Sequence, residues 1–175
     1  MHTARLTLRR WNGGDAESLF RYASDPDVGV RAGWPPHKSI DESREVIATL
    51  FNNAQTWAIL PQGADEPIGC IGYLLPGNGH MAMAHDEAEV GYWIAKPYWN
   101  QGLCSEALQA LVAYCFDKQQ CGALWGCHYV DNPASGRVME KCGFVEACCP
   151  DLLDDDGKPM RVMKIVNLKK KSNAD

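Results

Sequence analysis

The sequence lacks any uninterrupted apolar run near the roughly 18 residues that a bilayer-spanning helix needs, so no membrane segment is expected. Its first residues, MHTARLTLRRW, lack the apolar centre of a secretory signal, and a soluble, cytoplasmic protein with reduced thiols is expected. Eight cysteines are present, but no C-x-x-C pair and no Cys/His set at zinc spacing, which argues against a metal site. Excess positive charge is also missing: 17 Lys and Arg face 22 Asp and Glu, giving a net charge of -5. The only basic run, Lys169–Lys171, lies at the end, so phosphate affinity of the kind nucleic acids require is not expected. No internal repeat or low-complexity linker divides the 175 residues, and they are read as one domain, 1–175.

What is there alternates strand and helix patterns. ARLTLRRW puts Leu6 and Leu8 on one strand face, and DAESLFRYAS reads as a short helix that Asp25-Pro26 ends. GWPPH is a loop. Ser39 and Glu42 have capping-box spacing ahead of a helix over about 40–52, with Val46, Ile47, Leu50 and Phe51 on one face. TWAIL and PIGCIGYLL bracket a turn and form an antiparallel hairpin. After a long connection comes a central strand at 89–95, then a helix at about 102–117 with Leu103, Ala107, Ala110, Leu111, Tyr114 and Cys115 as its apolar stripe. ALWGCHYV is a strand. A short helix follows, with Asn132 as N-cap, Pro133 in its first position and Gly143 as its stop. FVEACC and MRVMKIVNL are closing strands around the turn DDDGK. The order β-α-α-β-β-β-α-β-α-β-β defines a mixed α/β domain.

The join at EVGYWIAKPYWNQGLCSEAL is abrupt: a strand passes through Asn100-Gln101-Gly102 straight into a helix. The first amides of a helix lack internal acceptors and stand at the positive end of its dipole, so such a junction suits an anion, and Gly102 lets the backbone approach it. An ordinary strand-to-helix turn would look the same. No G-K-[ST] follows, and G-x-G-x-x-G is absent, so the site is neither a Walker loop nor a dinucleotide fingerprint.

Three segments in order decide between these readings. EVGYWI precedes the turn, WNQGLCSEAL contains it, and NPASGRVMEKCGF follows one strand later. Together they resemble the GNAT N-acetyltransferase superfamily, and within it the RimJ/RimL-like branch of ribosomal-protein alanine acetyltransferases. The residues that carry the resemblance are Trp99, Gly102, Glu106 and Ala107, then Asn132, Ser135, Arg137, Val138, Lys141, Gly143 and Phe144. The wider pyrophosphate signature is only partly kept, with Trp99 in place of its first polar residue and Cys104 in place of its last small one.

The resemblance implies the GNAT fold: a central mixed, mostly antiparallel twisted sheet flanked by helices, with strands 4 and 5 splayed. It implies acetyl-CoA as co-substrate, with no metal. The amides of Gln101, Gly102, Leu103, Cys104 and Ser105 would hold the pyrophosphate, the strand edge at Trp93-Ile94 the pantetheine arm, and Asn132 the pantetheine amide. Acetyl transfer needs a neutral amine, a stabilised oxyanion and a proton for the leaving thiolate. An α-amino group, with a pKa near about 8, is far easier to deprotonate than a lysine near about 10.4.

By resemblance a Trp93-Ile94 amide polarises the carbonyl and attack is direct, without an acyl-enzyme. Glu89 is the candidate base, against a competing reading as a solvated strand-end carboxylate. Many relatives place a tyrosine acid where this chain has Met139, so Ser135 is the candidate for the leaving group, or else only a group at a helix start. Cys104, at a helix start, is the one cysteine marked as reactive. The acceptor is a protein N-terminus or a small amine. Trp34, His37 and His85 are the candidate substrate residues, with Asp86 and Glu87 completing an acidic, aromatic mouth. Relatives in this branch are often dimeric, so a homodimer is compatible. Two other readings stand beside this one: a CoA-binding module without catalysis, and a thiol or metal-binding regulator.

Overall fold

A computed structural model describes residues 1–148 and 152–171. Along the chain run β1 (Leu6–Arg9), α1 (Ala16–Ala23), α2 (Pro26–Ala32), α3 (Ile40–Val46), β2 (Thr56–Pro61), β3 (Gly69–Leu74) and β4 (Glu87–Ile94). These are followed by α4 (Leu103–Asp117), β5 (Ala123–Tyr129), α5 (Pro133–Lys141), β6 (Val145–Glu146), β7 (Leu152–Leu153), β8 (Pro159–Val166) and α6 (Leu168–Lys171). The residues form two compact units, Met1–Gly72 with Tyr92–Ala110, and Tyr73–Gly91 with Leu111 onward.

In the first unit β1 pairs antiparallel with β2, placing Leu8 opposite Ile59, and β2 pairs antiparallel with β3 through Ala58 and Cys70. The expected alternation of β1 is observed, with Leu6 and Leu8 buried between half-exposed neighbours. Its core gathers Trp11, Ala16, Leu19, Ile47, Leu60 and Cys70, with Trp34, Phe51 and Trp93 packed against it. Each large apolar side chain enclosed there contributes about 1.5–3 kcal/mol from the water it leaves.

Two features of this unit differ from the sequence expectation. Asp25-Pro26 does end α1, yet the same dipeptide starts α2: the Asp25 carboxylate accepts from the Asp27 amide at 2.9 Å, Pro26 needs no partner in the first position, and Gly33 at φ 86° closes the helix. The helix expected over 40–52 begins as read, with the Ser39 hydroxyl accepting from the Glu42 amide at 3.1 Å. Glu42 reaches back to the Lys38 amide, one residue before the expected one. From Ile47 to Phe51 the chain widens into a π-turn. The extra residue per turn carries Leu50 off the apolar face, and it is 64% exposed while Ile47 is buried.

In the second unit β4 and β5 are parallel, β5 and β8 antiparallel along their full length, and β6 and β7 both pair with β8. The β4–β5 register runs from Glu87–Ala123 to Val90–Gly126 and stops there, although β4 continues to Ile94 and β5 to Tyr129. This is the parting of strands 4 and 5 that the fold class calls for, in a mostly antiparallel sheet. α5 lies on β5. Gly126 leaves room for Met139, whose sulfur would stand 2.6 Å from an added Cβ, and Gly136 makes the same room for the His128 ring. The DDDGK turn forms as expected: the Asp154 carboxylate accepts from the amides of Asp156 and Lys158, with Gly157 at φ 80°. FVEACC forms strand only at Val145–Glu146, and its last residue, Cys149, lies outside the described residues. No helix among the described residues is long and apolar enough to cross a membrane.

Candidate functional site

The first unit contains the strand-to-helix junction. β4 ends at Ile94, a single 3-10 turn covers Lys96–Tyr98, and α4 starts at Leu103. Two residues in the left-handed region make so short a join possible, Asn100 at φ 60° and Gly102 at φ 76°. Side chains then lock the loop. The Trp99 indole donates to the Ile94 carbonyl at 2.7 Å, the Gln101 amide donates to the Pro97 carbonyl at 3.0 Å, and the Arg31 guanidinium lies over the Trp99 ring.

Gln101 and Gly102 are exposed at the mouth of this bend. A Cβ on Gly102 would meet only the Arg5 guanidinium, at 3.6 Å, so glycine is required there by its dihedral angle, not by crowding. Leu103 and Ser105 are buried and Cys104 is half-buried in the first turn of α4. A helix start with an open approach and a guanidinium beside it fits a doubly charged phosphate.

Glu106 holds the N-terminal arm to this junction. Its carboxylate accepts from the Thr3 hydroxyl at 2.6 Å, the Arg5 amide at 2.8 Å and the Arg5 guanidinium at 2.7 Å, while the other end of Arg5 donates to the Gln101 carbonyl at 3.0 Å. Burial alone would raise the Glu106 pKa, but these donors prevail and hold it below the usual carboxylate range. The motif at residues 99–107 contains Glu106 but gives no sign of what it binds. Its positioning role depends on an arm a hundred residues away, which spacing cannot reveal.

Also in the first unit, Trp34 packs edge-on against Trp93, with ring centroids 5.9 Å apart, and against His37 at 5.5 Å. The His37 ring shares a 2.8 Å hydrogen bond with the Ser43 hydroxyl, and burial lowers its pKa, so it stands neutral near pH 7. Gly69 of β3 sits so close to the Trp93-Ile94 backbone that an added Cβ would fall 2.5 Å from the Trp93 carbonyl oxygen. The structure therefore brings Trp34, His37 and Trp93 together.

The second unit contains Glu89, and it is not a solvated carboxylate. It is 3% exposed, and both oxygens are engaged by one residue: Oε2 accepts from the His80 amide at 2.7 Å, and Oε1 lies 2.7 Å from the His80 ring Nδ1. Gly79 allows this, since a Cβ there would collide with Oε2. The hydrogen bond to Glu89 raises the His80 pKa, and the Asp155 and Asp154 carboxylates act in the same direction. Unlike His37 and His85, His80 is not singled out by the sequence pattern. The long connection carrying it has no periodicity, and a clue lay only in a glycine-histidine pair upstream of a strand carboxylate.

His85 is exposed. The two acids beside it are both ion-paired. Asp86 is bound by the Lys170 ammonium at 2.6 Å, which lowers its pKa, and Glu87 accepts from the Ala84 amide, the Trp125 indole and Lys164. Both acids are occupied in holding the strand ends to the residues after β8 and to β8 itself.

Asn132 is buried at the N-cap position of α5, but its side chain makes no capping bond; its carbonyl accepts from the Ser135 amide at 3.2 Å instead. Ser135 is half-buried in the first turn. Met139 is 1% exposed and belongs to the core against β5. Among the cysteines, burial pushes Cys70 up to about 12 and half-buried Cys142 up to about 11, and Cys115, on the expected apolar stripe of α4, is fully buried. No group of three or more metal-ligating side chains occurs among the described residues.

β4 parts from β5 after Val90 and turns through one tight bend into α4. The family model described as "Acetyltransferase (GNAT) domain" matches residues 5–145. The uncharacterised N-acetyltransferase YoaA of Bacillus subtilis (strain 168) is 31% identical over 149 residues, covering 82% of this chain and 81% of that protein. The ribosomal-protein-serine acetyltransferase of Escherichia coli (strain K12) is 32% identical over 85 residues, 49% of this chain and 45% of that one. A GNAT-family acetyltransferase structure from Bacillus anthracis superposes with a TM-score of 0.78 at 22% identity, covering 95% of this chain and 97% of that chain. The spermidine N-acetyltransferase of Vibrio cholerae, in complex with CoA and spermine, superposes with a TM-score of 0.71 at 20% identity over 92% of this chain and 95% of that chain. The chain belongs to the GNAT acetyltransferase family, and its expected mixed α/β fold is the one observed.

Proposed function

We propose that the chain, acting as one domain over residues 1–175 in the cytoplasm, moves an acetyl group from acetyl-CoA to a primary amine by direct attack. The observation that carries this is the bend of Asn100 and Gly102, which delivers the end of β4 into the start of α4 with its approach open. The amides of Gln101, Gly102, Leu103, Cys104 and Ser105 are the proposed pyrophosphate donors, the Trp93-Ile94 edge the partner of the pantetheine arm, and Asn132 a contact to its amide. Acetyl-CoA supplies the activated acetyl group as a thioester; the protein supplies position, a dipole and a proton acceptor.

Glu89 is the proposed carboxylate of the proton-accepting system, and Ser135 the hydrogen-bond donor toward the leaving sulfur, because Met139 has no proton to give. Trp34, His37 and His85 are the proposed acceptor-side residues. A RimJ/RimL-like assignment, with a protein N-terminus as acceptor, is favoured by the motif at residues 99–107 and 132–144 and by the partial match to a protein named for a ribosomal-protein serine. A small amine is the second acceptor class, supported by the fold shared with a protein titled for spermidine. No metal or nucleic acid is assigned a part, and a homodimer is compatible with the proposal.

The test is a screen of spermidine, other small amines and N-terminal peptides with acetyl-CoA, reading released thiol. Amine-dependent release is expected. CoA binding without release on any amine would instead favour a non-catalytic CoA-binding module.

A further inference from the structure

We infer that His80, not Glu89, is the group that takes the proton from the acceptor amine, and that Glu89 is the positioning residue behind it. The inference rests on the acetyl-transfer reading above and adds a residue to it. A carboxylate that is 3% exposed, with one oxygen bound by the His80 amide and the other by the His80 ring, has no free edge to offer an incoming ammonium. The ring it holds does: the His80 side chain is 54% exposed.

The two contacts from one residue fix the ring in orientation. Because a carboxylate only accepts, Nδ1 must carry hydrogen, and the neutral ring then keeps its lone pair on Nε2, across the ring from Glu89. An orienting carboxylate, an imidazole with a set tautomer and an exposed basic nitrogen form the pairing by which proteins make a proton acceptor. The charged groups acting on the ring are Glu89 beside it and Asp154 and Asp155 from the turn between β7 and β8; all three carboxylates favour the imidazolium once a proton arrives.

The proton count closes. The acceptor's ammonium gives one proton to Nε2 of His80, its nitrogen forms the C–N bond as the C–S bond of the thioester breaks, and its second proton leaves on the sulfur. The products are an amide, a thiol and one proton on His80, which passes to solvent from the exposed edge.

The test pairs His80→Asn with Glu89→Gln in the full-length protein. Asn keeps a donor where Nδ1 stood but has no basic nitrogen. With acetyl-CoA and the best amine of the screen, His80→Asn is expected to lower kcat/KM about 10²- to 10⁴-fold, to remove the acid limb of its pH profile, and to regain rate in imidazole buffer. Glu89→Gln is expected to move that limb down in pH toward an ordinary imidazole value. A second readout needs no turnover: nitrogen-15 NMR of the native protein should find His80 in the Nδ1–H tautomer above its pKa, and Glu89→Gln should lower that pKa.

Turnover and pH profile unchanged in His80→Asn, or an Nε2–H tautomer in the native protein, would overturn the inference alone. If His80→Asn does not fold, an unmoved limb in Glu89→Gln overturns it just as well. No thiol release by the native protein on any amine would sink the acetyl-transfer reading, and this inference with it.

Discussion

The two ends of β4 solve different problems with different materials. At its C-terminal end, the strand runs through Trp99, Asn100 and Gly102 into α4, and what the bend presents is backbone. At its N-terminal end, Glu87 and Glu89 present side chains, and each is engaged by residues outside β4: Lys164 and Trp125 for the first, His80 for the second. Under the proposed function, a site built from backbone would tolerate side-chain drift, and Trp99 and Cys104 could then stand where the wider family signature has other residues. A side-chain site has no such tolerance, since removing one partner leaves the other buried without it.

The strongest way to break this comparison is Gly102→Glu. A left-handed residue gains a Cβ, and an anion is placed where a diphosphate would sit. Acetyl-CoA affinity measured by calorimetry should fall by more than about 100-fold, equivalent to about 2.7 kcal/mol. Unchanged affinity would show that the bend holds no phosphate.

Glu106→Ala should come next. It unties Thr3 and Arg5 from α4 and should cost about 1–3 kcal/mol of stability in denaturant unfolding. A loss below a few tenths would mean the arm is held by other contacts.

Trp99→Phe sharpens the comparison from the tolerant side. It removes one indole bond to the Ile94 carbonyl, and should cost about 1 kcal/mol of stability while leaving CoA affinity within about threefold.

The smallest effect is in pH. Because the folded-state pKa of His80 is raised, its stabilising contribution is complete below the unfolded imidazole value of about 6.5 and is lost as pH rises through the folded value. The native Tm should therefore decline across that window, and Glu89→Gln should decline less. Parallel curves for the two proteins would mean that Glu89 does not raise the His80 pKa.

The same contrast explains what could be read from the chain before its fold was seen. The bend was legible because everything that makes it lies within residues 89–115: a strand pattern, Asn-Gln-Gly and a helix stripe. α5 was legible through Asn132, Pro133 and Gly143, although the Asn132 side chain does not cap. α2 was missed because Asp25-Pro26 is both a stop and a start, and a seven-residue helix leaves little periodicity to see. Leu50 was misplaced because a π-turn breaks the period on which its face was counted. His80, and the ion pairs that occupy Asp86 and Glu87, depend on which loop folds onto which strand end, and local pattern holds no record of that.

The most direct measurement is a crystal structure of the chain soaked in CoA. The account predicts pyrophosphate oxygens about 3 Å from main-chain nitrogens within Gln101–Ser105. CoA bound elsewhere, or those nitrogens turned away from it and satisfied by protein acceptors, would contradict the account.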